Sequence, residues 1–201
     1  MIVFYGSPRS SATRTHWMLE EVGVPYEYRR VDLGKPRAER PADFQGASPG
    51  GKVPAIVDQG KPFFESMAIN LYLAETYRPE LGPRDSAERA EMLQWSFWIA
   101  SNVHPLLIVV LYHTALLPEG ERRAEEAEKN RGWSADYLAL LDQALVDKQW
   151  LVGDRFTVAD VNVGSVVRLA TRVNVPLGPN VVAWSERLAA RPSYQKAFKA
   201  G

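Results

Sequence analysis

A hydroxyl-rich loop lies immediately before the first predicted helix of the chain. It runs over Ser7–Arg14 and follows a short apolar run, Ile2–Tyr5, that is typical of a buried strand. Serine oxygens can accept hydrogen bonds from the first amides of a helix, and the positive end of the helix dipole favours an anion there. Ordinary helix capping explains the same pattern, so this loop alone does not establish a site.

Two further segments could hold a peptide-like ligand. Pro54 follows Val53 at the start of a predicted strand, and a cis bond there would expose the backbone N–H and C=O of Val53 to an extended peptide. Glu65 and Ser66 stand where a strand ends and a helix begins. Their carboxylate, hydroxyl and free amides could hold the amine and carboxylate of an amino-acid group, although a simple helix cap is again the structural alternative.

The composition excludes several kinds of chemistry. None of the 201 residues is cysteine, which rules out disulfides, thiolate metal ligands and a cysteine nucleophile, and we expect no metal site. The 24 Lys and Arg residues balance 24 Asp and Glu residues, so we expect neither nucleic acid nor a membrane as partner. No charged leader opens the chain and no apolar run approaches about 20 residues, which predicts a cytoplasmic protein with a small ligand.

The periodicity predicts two domains. Residues 1–78 read as strand, helix, strand, possible helix, strand, strand and helix, which predicts a small α/β domain with a mixed sheet. Residues 79–86 are rich in Pro and Gly and suit a linker. Residues 87–201 carry only helical patterns and predict an all-helical domain.

Several features describe the helical half in more detail. Two helical faces are predicted, one from Met92, Trp95, Ser96, Ile99 and Val103 and one from Trp133, Tyr137, Leu140, Leu141 and Ala144. Pro105 should kink or split its helix because it lacks the N–H that the helical ladder needs. Thr157 and Asp160 are spaced as a capping box that starts another helix.

Three sequence blocks resemble the glutathione S-transferase family. The block YGSPRSSATRTHWMLEEVGVPYE resembles the family's opening strand, Ser/Pro/Arg loop and helix ending in Leu-Glu-Glu. The block ASPGGKVPAIVDQGKPFFESMAINLYLAETY resembles its Gly-Lys-Val-Pro and Glu-Ser segments, and WLVGDRFTVAD resembles its Leu-x-Gly-Asp-x-Phe-Thr-x-Ala-Asp signature. The resemblance implies the glutathione S-transferase fold, with an α/β thioredoxin-like N-terminal domain and an all-α C-terminal helical bundle.

The resemblance also implies where glutathione, the co-substrate, would bind. In the family the cysteine of glutathione pairs with the backbone before a cis-proline, which corresponds to Val53 and Pro54. A Glu/Gln-Ser pair holds the γ-glutamyl end, which corresponds to Glu65 and Ser66. Lys52 is a candidate contact for the other carboxylate of the tripeptide.

A hydroxyl group near the sulfur would stabilise the glutathione thiolate, which is the nucleophile in this family. Ser10 stands where serine-type members place their donor, and it would contact glutathione there. Ser11 stands where some bacterial members carry cysteine, and Tyr5 aligns with the tyrosine of tyrosine-type members. Among the three we favour Ser10, then Ser11, then Tyr5.

The implied function is a glutathione S-transferase that directs the thiol of glutathione to a small hydrophobic electrophile. Conjugation, peroxide reduction and dehalogenation are all open, and the rival hypothesis is a transferase-like binding or regulatory protein without turnover. The candidate residues of the electrophile pocket are Trp98, Asn102, His104 and Tyr112. A homodimer is expected because family members are usually two-fold dimers.

Overall fold

The computed structural model describes residues 1–199 and divides the chain into two compact units. Residues 1–83 form one unit together with residues 190–199, and residues 84–189 form the other. The first unit is α/β and the second is helical, so the expected fold class is confirmed.

The first unit follows the predicted order of elements closely. Its chain order is β1 (Ile2–Gly6), α1 (Ala12–Val22), β2 (Tyr26–Arg30), α2 (Ala42–Ala47), β3 (Ala55–Asp58), β4 (Lys61–Phe64) and α3 (Ser66–Tyr77). The polar stretch before α2 contains a short 3₁₀ turn, Arg37–Glu39. Helix α1 ends at Gly23, whose positive φ of 71° lets its N–H reach the carbonyl of Leu19.

The four strands form one mixed sheet in the order β2-β1-β3-β4. Strand β1 pairs parallel with β2 and antiparallel with β3, and β4 pairs antiparallel with β3. Successive residues of a strand point to opposite faces. Phe4 accordingly packs against His16 of α1, whereas Tyr5 packs against Phe44 of α2. Helices therefore cover both faces of the central strand, which explains its continuous apolar sequence.

The second unit consists of helices and helical turns. Its chain order is α4 (Ser86–Trp98), a π-helical turn (Ile99–Val103), α5 (His104–Leu111), a second π-helical turn (Tyr112–Leu116), α6 (Ala124–Ala144), α7 (Val158–Arg172) and α8 (Pro179–Ala189). The helix is not split at Pro105, since the helical run Ser86–Leu116 is continuous, but its hydrogen bonding is altered in a π-helical turn that ends two residues before the proline. The wider turn accommodates a proline ring that would otherwise collide with the carbonyl four residues earlier.

The two predicted helical faces have different outcomes. On the first, Met92, Ser96, Ile99 and Val103 are buried as expected. On α6, Trp133 and Leu140 are about half exposed, and the buried residues are Ala127, Asn130, Ser134, Leu138 and Leu141. The prediction was therefore wrong for Trp133 and Leu140, whereas Leu141 of the same predicted face is buried. Ser134 and Asn130 can be buried because their side chains donate to the carbonyls four residues earlier.

The segment Ser86–Leu116 corrects a second expectation. It is long and apolar enough to cross a membrane by length and composition, and within residues 1–199 it is the one helix that meets this criterion. Core helices of soluble proteins meet it as well, although only 22% of the most apolar stretch of this segment is buried. Here α4 packs on α7 and α5 packs on α6, so the most buried side chains of the segment lie against other helices of the same unit.

Helix α9 (Pro192–Lys199) corrects the domain that was expected to span residues 87–201. It packs on α1 and therefore belongs with the first unit. The buried carboxylate of Glu21 joins the two helices, since it accepts two hydrogen bonds from Arg191 at 2.7 Å and others from Ser193 and Trp17. No local sequence signal predicted this contact, because its partners lie 170 residues apart. The boundary at residues 79–86 stays a prediction.

The predicted capping box of α7 is present and carries more hydrogen bonds than expected. The fully buried carboxylate of Asp160 accepts from the N–H of Thr157 at 2.9 Å and from its hydroxyl at 3.2 Å. It also accepts from the N–H of Leu151 and from the indole of Trp184, both at 2.9 Å. One side chain thus connects the loop before α7, the start of α7 and helix α8.

We expect Asp160→Ala to lower the free energy of unfolding by about 3 kcal/mol, because several buried donors lose their acceptor at once. Asp160→Asn keeps one carbonyl oxygen and should lose less. Urea denaturation measures both, with Asp136→Ala as a control on an exposed carboxylate of α6. A loss below about 1 kcal/mol in Asp160→Ala would contradict the structural role.

Candidate functional site

The strand register brings the three candidate segments to one edge of the sheet. Tyr5 of β1 is paired with Ala55 of β3, and Ala55 is paired with Phe64 of β4. The residues just beyond this row are Gly6, Pro54 and Glu65. This edge of the sheet therefore brings together the serine loop, the Val53-Pro54 bond and the Glu65-Ser66 pair. These segments are up to about 60 residues apart in sequence.

Ser10 is engaged in holding the loop and capping α1. Its hydroxyl donates to the carbonyl of Ser7 at 2.6 Å and accepts from the N–H of Ala12 at 3.1 Å. Its own carbonyl accepts from the N–H of Thr13 at 3.1 Å. The single proton of the Ser10 hydroxyl is thus already used within the loop.

Ser11 differs from Ser10 in its hydrogen bonding. It is half-buried at the N-terminus of α1, and its side chain makes no capping hydrogen bond. The part of the chain that the structure describes offers its hydroxyl no other partner. Its proton is therefore free to be donated to a ligand.

The hydroxyl of Tyr5 is committed to a different group. It donates to the carboxylate of Asp43 at 2.9 Å, and a guanidinium nitrogen of Arg29 lies 3.5 Å away. Burial raises the pKa of the phenol, and the Asp43 carboxylate raises it further. The side chain lies on the α2 face of the sheet, where it packs on Phe44. The structure thus uses Tyr5 to attach α2.

The Val53-Pro54 bond is cis. Neither the N–H nor the C=O of Val53 forms a hydrogen bond within residues 1–199. The preceding loop is held by Ser48, whose hydroxyl donates to the carbonyl of Lys52 at 2.7 Å and accepts from its N–H at 3.1 Å. The side chain of Lys52 is exposed. The segment therefore offers an unpaired backbone edge with a cation beside it.

Glu65 and Ser66 form the start of α3. Glu65 has φ 69° and ψ 105°, a sparsely populated conformation that costs a non-glycine residue on the order of 1–3 kcal/mol and is often found at binding sites. Its carboxylate is exposed, whereas Ser66 is buried. The first amides of α3 have no partner within the helix, so they are available to a ligand beside Glu65 and Ser66.

Arg14 of α1 is a component of this site that the sequence analysis missed. Its side chain is buried, with 6% exposure, and one guanidinium nitrogen donates to the hydroxyl of Ser66 at 3.3 Å. Its Nε is buried without a partner, and the described residues provide it with no ion pair. Burial lowers the pKa of Arg14 to about 10 against the opposing effect of Glu65, so the group stays charged at neutral pH.

A signal for Arg14 does exist in the sequence. It lies four residues before Met18 and therefore on the same helical face, which is buried. A charged residue on a buried face is rare unless it is paired. The apolar spacing of Met18, Leu19 and Val22 predicts the helix by itself and carries no information about the role of Arg14.

The four candidate pocket residues all lie between α4 and the second π-helical turn. Trp98 is half-buried, with its ring edge-on to those of Trp95 at 5.2 Å and Tyr137 at 6.4 Å between ring centroids. The amide of Asn102 donates to the carbonyl of Trp98 at 3.1 Å. His104 begins α5, and Tyr112 begins the second π-helical turn with about half of its surface exposed. Among these four candidates, the structure thus shows a direct hydrogen bond between Asn102 and Trp98.

Comparison with family models gives two matches. Residues 9–76 match the glutathione S-transferase N-terminal domain, and residues 99–192 match the glutathione S-transferase C-terminal domain. Together the two models cover most of the chain. Among residues 1–199, no group of three His, Asp or Glu side chains is arranged to hold a metal ion.

Known proteins give full-length matches. The disulfide-bond oxidoreductase YfcG of Escherichia coli K12 is 34% identical over 98% of this chain and 94% of that protein. Glutathione S-transferase GstA of E. coli O157:H7 is 31% identical over 100% of this chain and 98% of that protein. The glutathione-bound crystal structure of a theta class glutathione S-transferase from Xanthomonas axonopodis pv. citri has a TM-score of 0.89 at 30% identity, covering 98% of this chain and 96% of that one.

Proposed function

Because the chain belongs to the glutathione S-transferase family, we propose that it activates the thiol of glutathione for attack on a small hydrophobic electrophile. Its family and fold make it a glutathione transferase with glutathione as co-substrate. The observation that carries the proposal for its site is the row Tyr5-Ala55-Phe64, which aligns the three candidate segments at one edge of the sheet.

The proposed binding of glutathione uses groups that lack protein partners. The free N–H and C=O of Val53 pair with the cysteine residue of the tripeptide, as an added strand pairs with a sheet edge. Glu65 pairs with the amine of the γ-glutamyl group. Ser66 and the first amides of α3 donate hydrogen bonds to the carboxylate of that group. The exposed Lys52 attracts the carboxylate at the other end. The relative from Xanthomonas, whose structure holds glutathione, supports glutathione as the ligand.

We propose that the hydroxyl of Ser11, and not that of the initially favoured Ser10, donates a hydrogen bond to the glutathione thiolate. The hydroxyl of Ser10 already donates to Ser7, and that of Tyr5 already donates to Asp43. Only Ser11 keeps its proton available among the three. A hydrogen bond to a charged group contributes about 1.5–3 kcal/mol, which lowers the pKa of the bound thiol by about one to two units. The N-terminus of α1 adds to this stabilisation.

We expect Ser11→Ala to raise the pKa of the bound glutathione thiol by about one to two units and to lower conjugation at pH 6.5 roughly 10- to 100-fold. Glutathione affinity should change little, because the tripeptide is held elsewhere. Thiolate absorbance against pH and turnover of 1-chloro-2,4-dinitrobenzene measure the two effects.

Two variants serve as matched controls. Tyr5→Phe should leave the thiol pKa unchanged. Ser10→Ala should lower the free energy of unfolding by about 1 kcal/mol through loss of its cap, with a smaller effect on the thiol. The assignment is rejected if the thiol pKa responds to Ser10→Ala and not to Ser11→Ala. Glutathione binding without turnover of any electrophile would favour the regulatory alternative instead.

The electrophile site is proposed to involve Trp98, Asn102, His104 and Tyr112. The aromatic surface of Trp98 and the exposed ring of Tyr112 suit a small apolar substrate. Asn102 adds an amide within the first π-helical turn, a feature that is often found at functional sites. Conjugation, peroxide reduction and dehalogenation all begin from the same thiolate.

A second candidate function is disulfide reduction, favoured by the relative named as a disulfide-bond oxidoreductase. With no cysteine in the chain, glutathione must supply both thiols. One glutathione thiolate attacks the substrate disulfide, which forms a mixed disulfide and releases a thiolate. A second glutathione thiolate displaces the remaining substrate thiolate, so that the substrate is reduced and oxidised glutathione is formed.

We expect the protein to accelerate the reduction of 2-hydroxyethyl disulfide by glutathione, measured as oxidised glutathione formed. Ser11→Ala should lower this rate together with conjugation if both reactions use the same thiolate. A rate equal to the uncatalysed reaction would reject disulfide reduction and leave the transferase function in place.

A homodimer is proposed from exposed apolar side chains. Phe97 of α4 is 66% exposed and Phe64 of β4 is 53% exposed, which is unusual for phenylalanine in a monomer. We expect sedimentation velocity to report a dimer that Phe97→Ser weakens, with Val182→Ser on α8 as an exposed control. A wild-type monomer at micromolar concentration would reject the dimer.

A cytoplasmic location is proposed as well. The absence of cysteine removes any need for an oxidising compartment. Activity on the pool of reduced glutathione suits a reducing compartment.

A further inference from the structure

The guanidinium of Arg40 is bonded to backbone carbonyls of two separate segments. Its Nε and one terminal nitrogen donate to the carbonyl of Lys35 at 3.1 and 3.0 Å, and that terminal nitrogen also donates to the carbonyl of Leu33 at 3.1 Å. The other terminal nitrogen donates to the carbonyl of Gly51 at 2.6 Å. No carboxylate among residues 1–199 pairs with Arg40. Arg40 therefore joins the loop after β2 to the loop before β3.

Arg37 covers the same loop before β3 from the neighbouring 3₁₀ turn. Its guanidinium donates to the carbonyl of Pro49, and its stem lies over Gly51, where an added β-carbon would come within 3.0 Å of the Arg37 Cδ. Gly51 is buried and has a positive φ of 65°, which glycine adopts readily. The two bonds between Ser48 and Lys52 lie within the loop. The side chains of the two arginines instead attach the loop to the segment before it.

The attached loop leads directly to the free backbone edge of Val53. Gly51 stands two residues before Val53, whose N–H and C=O form no hydrogen bond within residues 1–199. Sheet pairing starts only at Ala55, so hydrogen bonds of the sheet do not hold Val53. A backbone edge that pairs with an extended ligand must keep one orientation, since each bond that fails to form costs about 0.5–1.5 kcal/mol. The bond from Arg40 to Gly51 supplies such a constraint.

We propose that Arg40 is a positioning residue for glutathione, which acts through the carbonyl of Gly51 and holds the backbone edge of Val53 in the orientation that pairs with the cysteine residue of the tripeptide. This inference rests on the proposed function and deepens it. Four of the five N–H groups of the guanidinium already donate to carbonyls of the protein. The effect of Arg40 on affinity should therefore depend on the ligand's backbone and not on its charges.

The test compares glutathione with two analogues that each lack one feature. In the depsipeptide analogue an ester oxygen replaces the N–H of the cysteine residue, which removes the donor to the C=O of Val53. In the amide analogue a carboxamide replaces the carboxylate of the glycine residue, which removes the charge at that end. Calorimetry gives the Kd of each ligand for the wild-type protein, Arg40→Met and Arg40→Lys. Arg30→Met on β2 is the matched control, because it removes the same charge from an exposed position.

We expect the wild-type protein and Arg30→Met to bind glutathione roughly 3- to 10-fold more tightly than the depsipeptide, the range of one hydrogen bond. Arg40→Met should bind glutathione about 10-fold more weakly than wild type and should no longer distinguish it from the depsipeptide. The amide analogue should lose affinity by the same factor as glutathione. Arg40→Lys should recover part of the preference, since an ammonium can reach fewer of the three carbonyls. In turnover, Arg40→Met should raise the KM for glutathione and leave kcat within about threefold of wild type.

Several results would overturn the proposal. An Arg40→Met protein that keeps the wild-type preference for glutathione over the depsipeptide would show that Arg40 does not act on the edge of Val53, even if every affinity falls. A loss for glutathione without a loss for the amide analogue would show that Arg40 acts on the ligand's charge. If Arg40→Met does not fold, an Arg40→Lys protein with wild-type affinities for all three ligands would overturn it as well.

Failure of the proposed function gives a different result. A wild-type protein that binds none of the three ligands would reject glutathione as co-substrate. A wild-type protein that binds glutathione and the depsipeptide equally would keep glutathione and reject the pairing at Val53, and with it the role of Arg40.

Discussion

The backbone pairing across β1, β3 and β4 is the constraint on which the candidate site depends. It fixes the ends of three strands in one row, so a loop, a cis-proline and a helix start share one edge. Each of these features alone has a structural explanation. A slip of the register by one residue would turn every side chain to the opposite face and separate the groups. The position of the candidate site is thus set by the pairing of the strands and not by any single side chain.

Much of the fold could be predicted because its signals are local. A short apolar run, a helix ending at Gly23 and a hairpin before α3 are each encoded within about 20 residues, and the structure contains them. The capping box at Thr157 and Asp160 could be predicted from the sequence in the same way. The positions of Val53, Glu65 and Ser66 came from resemblance, because no local rule selects a cis bond over the far commoner trans form.

The features that escaped prediction depend on neighbours distant in sequence. The buried face of α6 includes small and polar residues beside two leucines, while Trp133 is about half exposed, so the size of the Trp133 side chain was a misleading signal. Arg14 escaped because burial of an unpaired cation opposes the usual partition of residues. Ser10 and Ser11 are chemically identical in the sequence, and only the contact of Ser10 with Ser7 distinguishes them.

The attachment of α9 to α1 has a consequence for how the chain is made. Because the carboxylate of Glu21 is held by Arg191, the first unit lacks part of its contacts until Arg191 has been synthesised. The helices of residues 84–189 are contiguous, and all of their internal partners emerge from the ribosome earlier. The unit that contains the amino-terminal strands therefore gains its last contacts only after every helix of the second unit has been synthesised.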